Sequence, residues 1–231
     1  SLRSHKDAHE IEQVRRAVQF TEAALETAVR QLRVGTTERE LAARLTIEML
    51  RLGADGPAFA PIVVAGPNAA LPHAGPSDRP IGPGETITVD CGAAVGGYAA
   101  DITRTFAIGQ LPPDLMRVYE TVRAANGAGR AEVHPGVSAE TVDRAARAFI
   151  DAAGYGHYFV HRTGHGLGLE IHEPPYIVAG NQAHLEPGMV FTIEPGIYLP
   201  GVGGVRIEDD VVVTSGGSES LTTFPRELIL L

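Results

Sequence analysis

The two halves of this 231-residue chain carry the same punctuation in the same order. Gly35 and Gly53 stand 18 residues apart, and so do Gly136 and Gly154. Pro83-Gly84 precedes Thr88, Asp90 and Gly92, while Pro187-Gly188 precedes Thr192, Glu194 and Gly196 at the same offsets. Gly96-Gly97 leads Asp101 by the same interval at which Gly203-Gly204 leads Glu208. Pro-Gly and Gly-Gly are common turn signals, so a single match carries little weight. A whole series in one order argues for an internal duplication. Each half then presents two acids at equivalent points of a strand pair, Asp90 with Asp101 and Glu194 with Glu208. A pseudo-twofold arrangement brings those four carboxylates together at the centre.

Between the punctuation marks the apolar spacing shows where helices and strands fall. Ile11, Val14, Val18, Leu25, Val29 and Leu32 recur at helical spacing and predict a long amphipathic helix over about 8–33, closed by Gly35. Thr37 with Glu40 forms a capping-box pattern that opens a second helix, which runs to about Leu52 and stops at Gly53. A strand over 59–64 and a loop rich in Pro, Gly and Asn follow. Paired strands over 86–90 and 98–107 are joined at Gly96-Gly97. The second half repeats the order: a helix over 114–133, a helix from Ser138 to Ala153, and strands over 189–194 and 205–214. The fold class expected is α/β, of the α+β kind, in one domain over 1–231.

Four carboxylates cannot share a buried site uncompensated, because desolvated like charges repel strongly. Two divalent cations supply the missing charge, and carboxylates can bridge them. His165, within Thr163-Gly164-His165-Gly166, is the candidate imidazole, flanked by glycines that let the backbone approach a crowded centre. Oxygen-rich ligation with one imidazole favours manganese, cobalt or iron over a thiolate zinc site. No Cys pair, HExxH helix or GxSxG turn competes. The formal net charge of −9 argues against a nucleic-acid partner. No apolar run approaches a membrane span and no secretory pattern opens the sequence. Cys91 is the single cysteine, which excludes an intrachain disulfide and fits a reducing, cytoplasmic compartment. Strand alternation turns Cys91 away from the acids, as a small core residue.

The segments Leu71-Pro72-His73, Val89-Asp90-Cys91-Gly92-Ala93 and Ala100-Asp101-Ile102-Thr103-Arg104-Thr105 resemble the prolidase and aminopeptidase P branch of the pita-bread metallopeptidases. So do His161-Arg162-Thr163-Gly164-His165-Gly166, Ile171-His172-Glu173-Pro174-Pro175, Ile193-Glu194-Pro195-Gly196 and Val205-Arg206-Ile207-Glu208-Asp209. The likeness keeps the motif order along essentially the whole chain. It implies a pita-bread fold, with two pseudo-twofold-related halves and a curved antiparallel sheet covered by helices. By the same resemblance, Asp90, Asp101, His165, Glu194 and Glu208 match the five metal ligands. Glu194 also matches the acid that takes a proton from the attacking water. His73, His161 and His172 match histidines around the substrate, and Arg206 an arginine on the last ligand strand. Cys91 departs from the Phe most common after the first Asp. The separate N-terminal domain of most members is not visible in this sequence.

The activity expected is hydrolysis of Xaa-Pro bonds, at the N-terminus of peptides or in dipeptides, through a metal-bridging hydroxide. Two divalent ions are expected, manganese first, with cobalt, iron or zinc as alternatives. The substrate is a proline-containing peptide, and a homodimer is the assembly considered. Rival readings are a methionine aminopeptidase and a non-catalytic pita-bread module that binds a protein. Retention of all five matched ligands disfavours the second and a metal-free creatinase-like enzyme. Arg206 is expected to pair with one of the metal-binding acids. Asp209 and Asp210 are read as lying near the site or at the surface rather than as ligands, and Glu170 and Glu173 as surface acids.

Overall fold

A computed structural model of the chain describes residues 2–231. The first half opens with two helices, α1 (Ala8–Arg30) and α2 (Glu38–Leu52). Both begin in reciprocal capping boxes. Asp7 accepts the Glu10 N–H while the Glu10 carboxylate accepts the Asp7 N–H, and Thr37 with Glu40 does the same. Only the second box was anticipated. α1 lays Val14, Val18, Leu25 and Val29 on its buried face, and α2 contributes Leu41, Leu45 and Met49. Gly53 ends α2 in the left-handed region at φ 93°, which a residue with a Cβ enters only at a cost.

Six strands follow: β1 (Gly56–Pro57), β2 (Ile62–Ala65), β3 (Thr86–Cys91), β4 (Ala93–Val95), β5 (Tyr98–Ala99) and β6 (Ile102–Ala107). The second half supplies α3 (Pro113–Ala131), α4 (Ala139–Ala152), β7 (Gly164–Gly166), β8 (Glu173–Ile177), β9 (Val190–Ile193), β10 (Gly196–Leu199), β11 (Gly203–Arg206), β12 (Asp209–Thr214) and β13 (Gly217–Ser220). The sheet order β2-β3-β6 of the first half is matched by β7-β9-β12 of the second, all antiparallel. The short hairpins β4–β5 and β10–β11 interrupt the two halves at the same point.

The duplication extends to single hydrogen bonds. The N–H of Gly35 reaches the carbonyl of Ile81 at 2.9 Å, and that of Gly136 reaches Leu185 at 2.8 Å. Gly84 donates to Ile108 at 2.8 Å and Gly188 to Val213 at 2.9 Å. The repeated glycines therefore occupy repeated structural positions. α1 and α2 pack with β2, β3 and β6 in one apolar core, while α3 and α4 cover the second sheet with Val118, Val122, Val142 and Ile150. No helix among the described residues is long and apolar enough to cross a membrane.

One feature differs from the sequence reading. The apolar spacing predicts a single strand over each of 98–107 and 205–214, yet each breaks at its acid. β5 ends at Ala99 and β6 begins at Ile102, leaving Asp101 in the gap; β11 ends at Arg206 and β12 begins at Asp209, leaving Glu208 in the gap. The reason lies across the pseudo-twofold. The Asp101 N–H is captured by Asp210 Oδ2 at 3.0 Å, and the Glu208 N–H by the Thr103 carbonyl at 3.0 Å. Each acid's backbone is tied to the opposite half instead of to its own ladder.

Candidate metal centre and the cavity around it

The loop bearing His73 hangs on Glu38, the first residue of α2, which is fully buried. Its carboxylate accepts the Ala65 N–H (2.8 Å), the Asn68 amide (3.1 Å), and both the N–H (3.0 Å) and hydroxyl (2.6 Å) of Ser77. A buried charge with that many donors is tolerated, and it pins the loop at both ends. Nothing in the sequence around Glu38 marks it for this, because all of its partners lie 27–39 residues away.

β3 carries Asp90, the β5–β6 break Asp101, β7 His165, the end of β9 Glu194 and the β11–β12 break Glu208. These five line one cavity of about 410 Å³, together with His73, His161, His172 and Arg206. All nine residues singled out in the sequence therefore meet in one place. Phe59, Ile62, Pro72, Arg162 and Ile171 complete the lining. His73 and His172 are exposed there, whereas Asp90, Asp101, His165 and Glu208 are buried.

Ligating atoms of Asp101, His165 and Glu208 all lie within 4.8 Å of one another. His165 Nδ1 is 3.1 Å from the Gly166 carbonyl, an acceptor, so that nitrogen carries the proton. Its Nε2 lone pair then faces Asp101 Oδ2 at 3.5 Å and Glu194 Oε1 at 3.4 Å. Three acceptors facing each other require a cation or a proton between them. Burial pushes the His165 imidazole down to about 3, which excludes the imidazolium near neutrality. Burial, and then the neighbouring acids, hold Asp101 and Glu208 well above the carboxylate range. Burial raises Glu194 to about 7 against the opposing pull of Arg206. Asp90 Oδ1 is buried without any hydrogen-bond partner. Oxygen donors, one neutral imidazole and an orphaned carboxylate oxygen fit a site for divalent metal.

A hydrogen-bonded chain supports this cluster. Arg206 Nη2 pairs with Asp90 Oδ2 at 2.6 Å, as expected of a partner among the acids. Its Nε donates to Thr103 Oγ1 at 3.1 Å, and that hydroxyl donates to Glu208 Oε2 at 2.5 Å. Arg206 Nη1 donates to the Tyr198 hydroxyl at 2.9 Å, which sits 2.8 Å from His161 Nε2. His161 Nδ1 faces the Arg162 carbonyl at 2.7 Å. The tautomer follows: His161 donates from Nδ1 and accepts the Tyr198 hydroxyl at Nε2. Burial, seconded by Arg206, lowers this ring to about 3 and keeps it neutral. Thr192 joins the same network, its hydroxyl accepting the His165 N–H at 3.2 Å and donating to Glu194 Oε1 at 3.4 Å. No motif in the sequence marks Thr103, Thr192 or Tyr198 for these roles. For the two threonines a signal existed, since each lies two residues from an acid, Asp101 or Glu194, and so shares its side of an extended chain.

One acid needs correction. Glu173, expected at the surface, is buried, its carboxylate 2.5 Å from the equally buried Lys6 ammonium. Lys6 precedes α1 and is remote in sequence, so local polarity gave no warning. Of the two places read for Asp209 and Asp210, the interior beside the site is the one they take: both are fully buried, Asp209 held by arginines and Asp210 accepting the Asp101 N–H. His172 sets its ring edge-on to His165, centroids 4.3 Å apart.

Residues 12–215 match metallopeptidase family M24. The chain is 42% identical over 228 residues to an Xaa-Pro dipeptidase of Pyrococcus furiosus, covering 99% of this chain and 66% of that protein. Among solved structures it superposes on an Xaa-Pro dipeptidase from Bacillus anthracis with a TM-score of 0.98 at 43% identity, covering 100% of this chain and 65% of the other. An X-Pro aminopeptidase from Thermotoga maritima gives the same TM-score, identity and coverage. The chain thus spans about two thirds of the length of the relatives it matches. The two helix-covered, antiparallel halves are those of the pita-bread fold. By its motifs, its fold and its match over most of its length, the chain belongs to metallopeptidase family M24.

Proposed function

We propose that residues 1–231 form the catalytic domain of an Xaa-Pro peptidase, acting on the N-terminus of peptides or on dipeptides. Asp90, Asp101, His165, Glu194 and Glu208 would hold two divalent ions, manganese first among them. The observation that carries this reading is the His165 Nε2 lone pair directed at the carboxylates of Asp101 and Glu194. When bound, the ions would supply charge compensation and activate water for attack on a peptide carbonyl.

The chain's own residues do the rest. Glu194, its carboxyl raised toward neutrality, accepts a proton from the attacking water and returns it to the leaving prolyl nitrogen. His73 and His172 make no hydrogen bond among the described residues, so their ring nitrogens are available to donate to the substrate carbonyl and its developing oxyanion. His161 has no such freedom. Both its nitrogens are engaged, and it orients Tyr198 and through it Arg206, which in turn holds Asp90 in place. All three relatives quoted above are named as Xaa-Pro dipeptidases or an X-Pro aminopeptidase, which supports the same preference here.

A manganese-supplemented assay over Xaa-Pro, Xaa-Pro-Yaa and Met-Ala-Yaa peptides tests the proposal. Cleavage before proline in either of the first two is the expected result. Cleavage of Met-Ala-Yaa alone would make the chain a methionine aminopeptidase, and inertness toward all three would favour a protein-binding role.

A further inference from the structure

A second cavity, of about 510 Å³, shares no lining residue with the acidic one. It lies between α3 and the C-terminal segment, and Arg123, Arg130 and Arg226 line it. Beneath it, one fully buried carboxylate, Asp209, meets three guanidinium groups. Oδ1 is 2.7 Å from Arg104 Nη2, and Oδ2 lies 2.7 Å from Arg226 Nε and 3.5 Å from Arg130 Nε. Three positive charges thus face one negative charge in a chain whose formal net charge is −9.

The donors are unevenly used. Arg104 is saturated by Asp209 and by the carbonyls of Thr103, Glu208, Phe224 and Pro225. Arg226 Nη2 donates to Ser220 Oγ and the Thr222 carbonyl, and Arg130 Nε donates to Asn126 Oδ1. Among the described residues, neither terminal nitrogen of Arg130 nor Nη1 of Arg226 makes a hydrogen bond. Burial first, and then the proximity of Arg226, lower the Arg130 guanidinium from its ordinary value against the opposing pull of Asp209. Glu227 is the one acid lining the cavity, 4.0 Å from Arg123 Nη1, while Arg123 Nε and Nη2 are already held by Glu120 at 2.9 and 2.7 Å.

A glycine supplies the second observation. Gly127 sits inside α3, four residues after Arg123 and three before Arg130, on the same face of the helix. Glycine in a helix interior weakens it relative to alanine. Packing does not require it here, because a Cβ at Gly127 would meet nothing within 4 Å. What the missing side chain leaves open is the floor of the arginine cavity.

We infer that Arg130 and Arg226, with Arg123 at the rim and Gly127 as the floor, form a binding site for a doubly charged tetrahedral oxyanion, phosphate in its simplest form. Unused N–H groups from two guanidiniums suit an oxyanion of that charge. The site is independent of the peptidase reading.

The test is calorimetric titration of the metal-loaded protein with inorganic phosphate at constant ionic strength. Wild type is expected to show a site that Arg130→Gln weakens by about tenfold or more, the scale of one lost charge-assisted contact. Gly127→Leu is expected to block the site while leaving the thermal midpoint unchanged or raised, which separates occlusion from misfolding. A parallel titration with glycerol 2-phosphate distinguishes a phosphomonoester from the free ion by which of the two binds more tightly. Equal phosphate binding by all three proteins would overturn the inference, since phosphate held only at the metal centre would ignore both substitutions.

Discussion

Two histidines with touching rings are given different work here. His165 is buried, with one nitrogen committed to a carbonyl and the other aimed at acids, whereas His172 is exposed and makes no hydrogen bond among the described residues. The difference is measurable on one preparation. His172→Ala is expected to keep full metal content and lose turnover by about 10²–10³-fold, the typical effect of removing one oxyanion donor. His165→Ala is expected to lose metal as well. Near-normal turnover in His172→Ala would make that ring structural, and loss of metal would make it a ligand. Tyr198 shows a third kind of residue, one whose single hydroxyl joins His161 to Arg206 and so to Asp90.

At the scale of elements, the short strand β7 presents His165 only because its neighbour is glycine. A Cβ on Gly164 would lie 1.8 Å from the Thr192 carbonyl oxygen of β9, which is backbone and cannot swing aside. Overpacking in a core commonly costs about 1–3 kcal/mol. Gly164→Ala is expected at or above the upper end of that range, and with reduced metal occupancy, because the strands must part where His165 and Glu194 converge. Chemical denaturation together with metal analysis reads both effects, and a normal midpoint with full occupancy would refute them. The same logic holds for Gly92, where a Cβ would come 1.8 Å from the Ala100 carbonyl oxygen beside Asp101. Helix starts are simpler, since a capping box is written within four residues and needs no partner from elsewhere.

For the whole molecule, joining two acid-bearing halves makes folding compete with charge repulsion until cations bind. In the metal-free protein the Glu194 carboxyl is raised from 4.5 to about 7, by burial first, and Asp101 and Glu208 are raised as well. A folded-state value above the unfolded one means that the protonated form favours the fold. That contribution is complete below about 4.5 and is lost as pH rises through about 7. In chelator, the thermal midpoint is therefore expected to fall between pH 5 and pH 8 (approximate bounds of that window). Added manganese should lift it most at the alkaline end, where fewer protons must be displaced. Glu194→Gln should flatten the metal-free profile. Parallel curves with and without metal would contradict the assignment of these acids to a metal site.

What the amino-acid sequence determined by itself was whatever is encoded at short range or by repetition. The Thr37–Glu40 box, the turn glycines, the two strand periods and the matched series of anchors were enough to predict two equivalent halves and to single out four acids and His165. His73, His161, His172 and Arg206, which share their cavity, were marked only by the resemblance to the prolidase and aminopeptidase P branch. Tertiary structure alone decided what depends on partners from distant segments. Asp101 and Glu208 break their strands because their N–H groups are claimed across the pseudo-twofold. Glu173 is buried because Lys6, at the far end of the chain, reaches it. Asp209 gathers Arg104, Arg130 and Arg226 from three separate elements. Periodicity reports which side of its own strand or helix a residue occupies. It carries no information about which remote group will pack against that side, and in this protein those remote groups set the charge balance of both cavities.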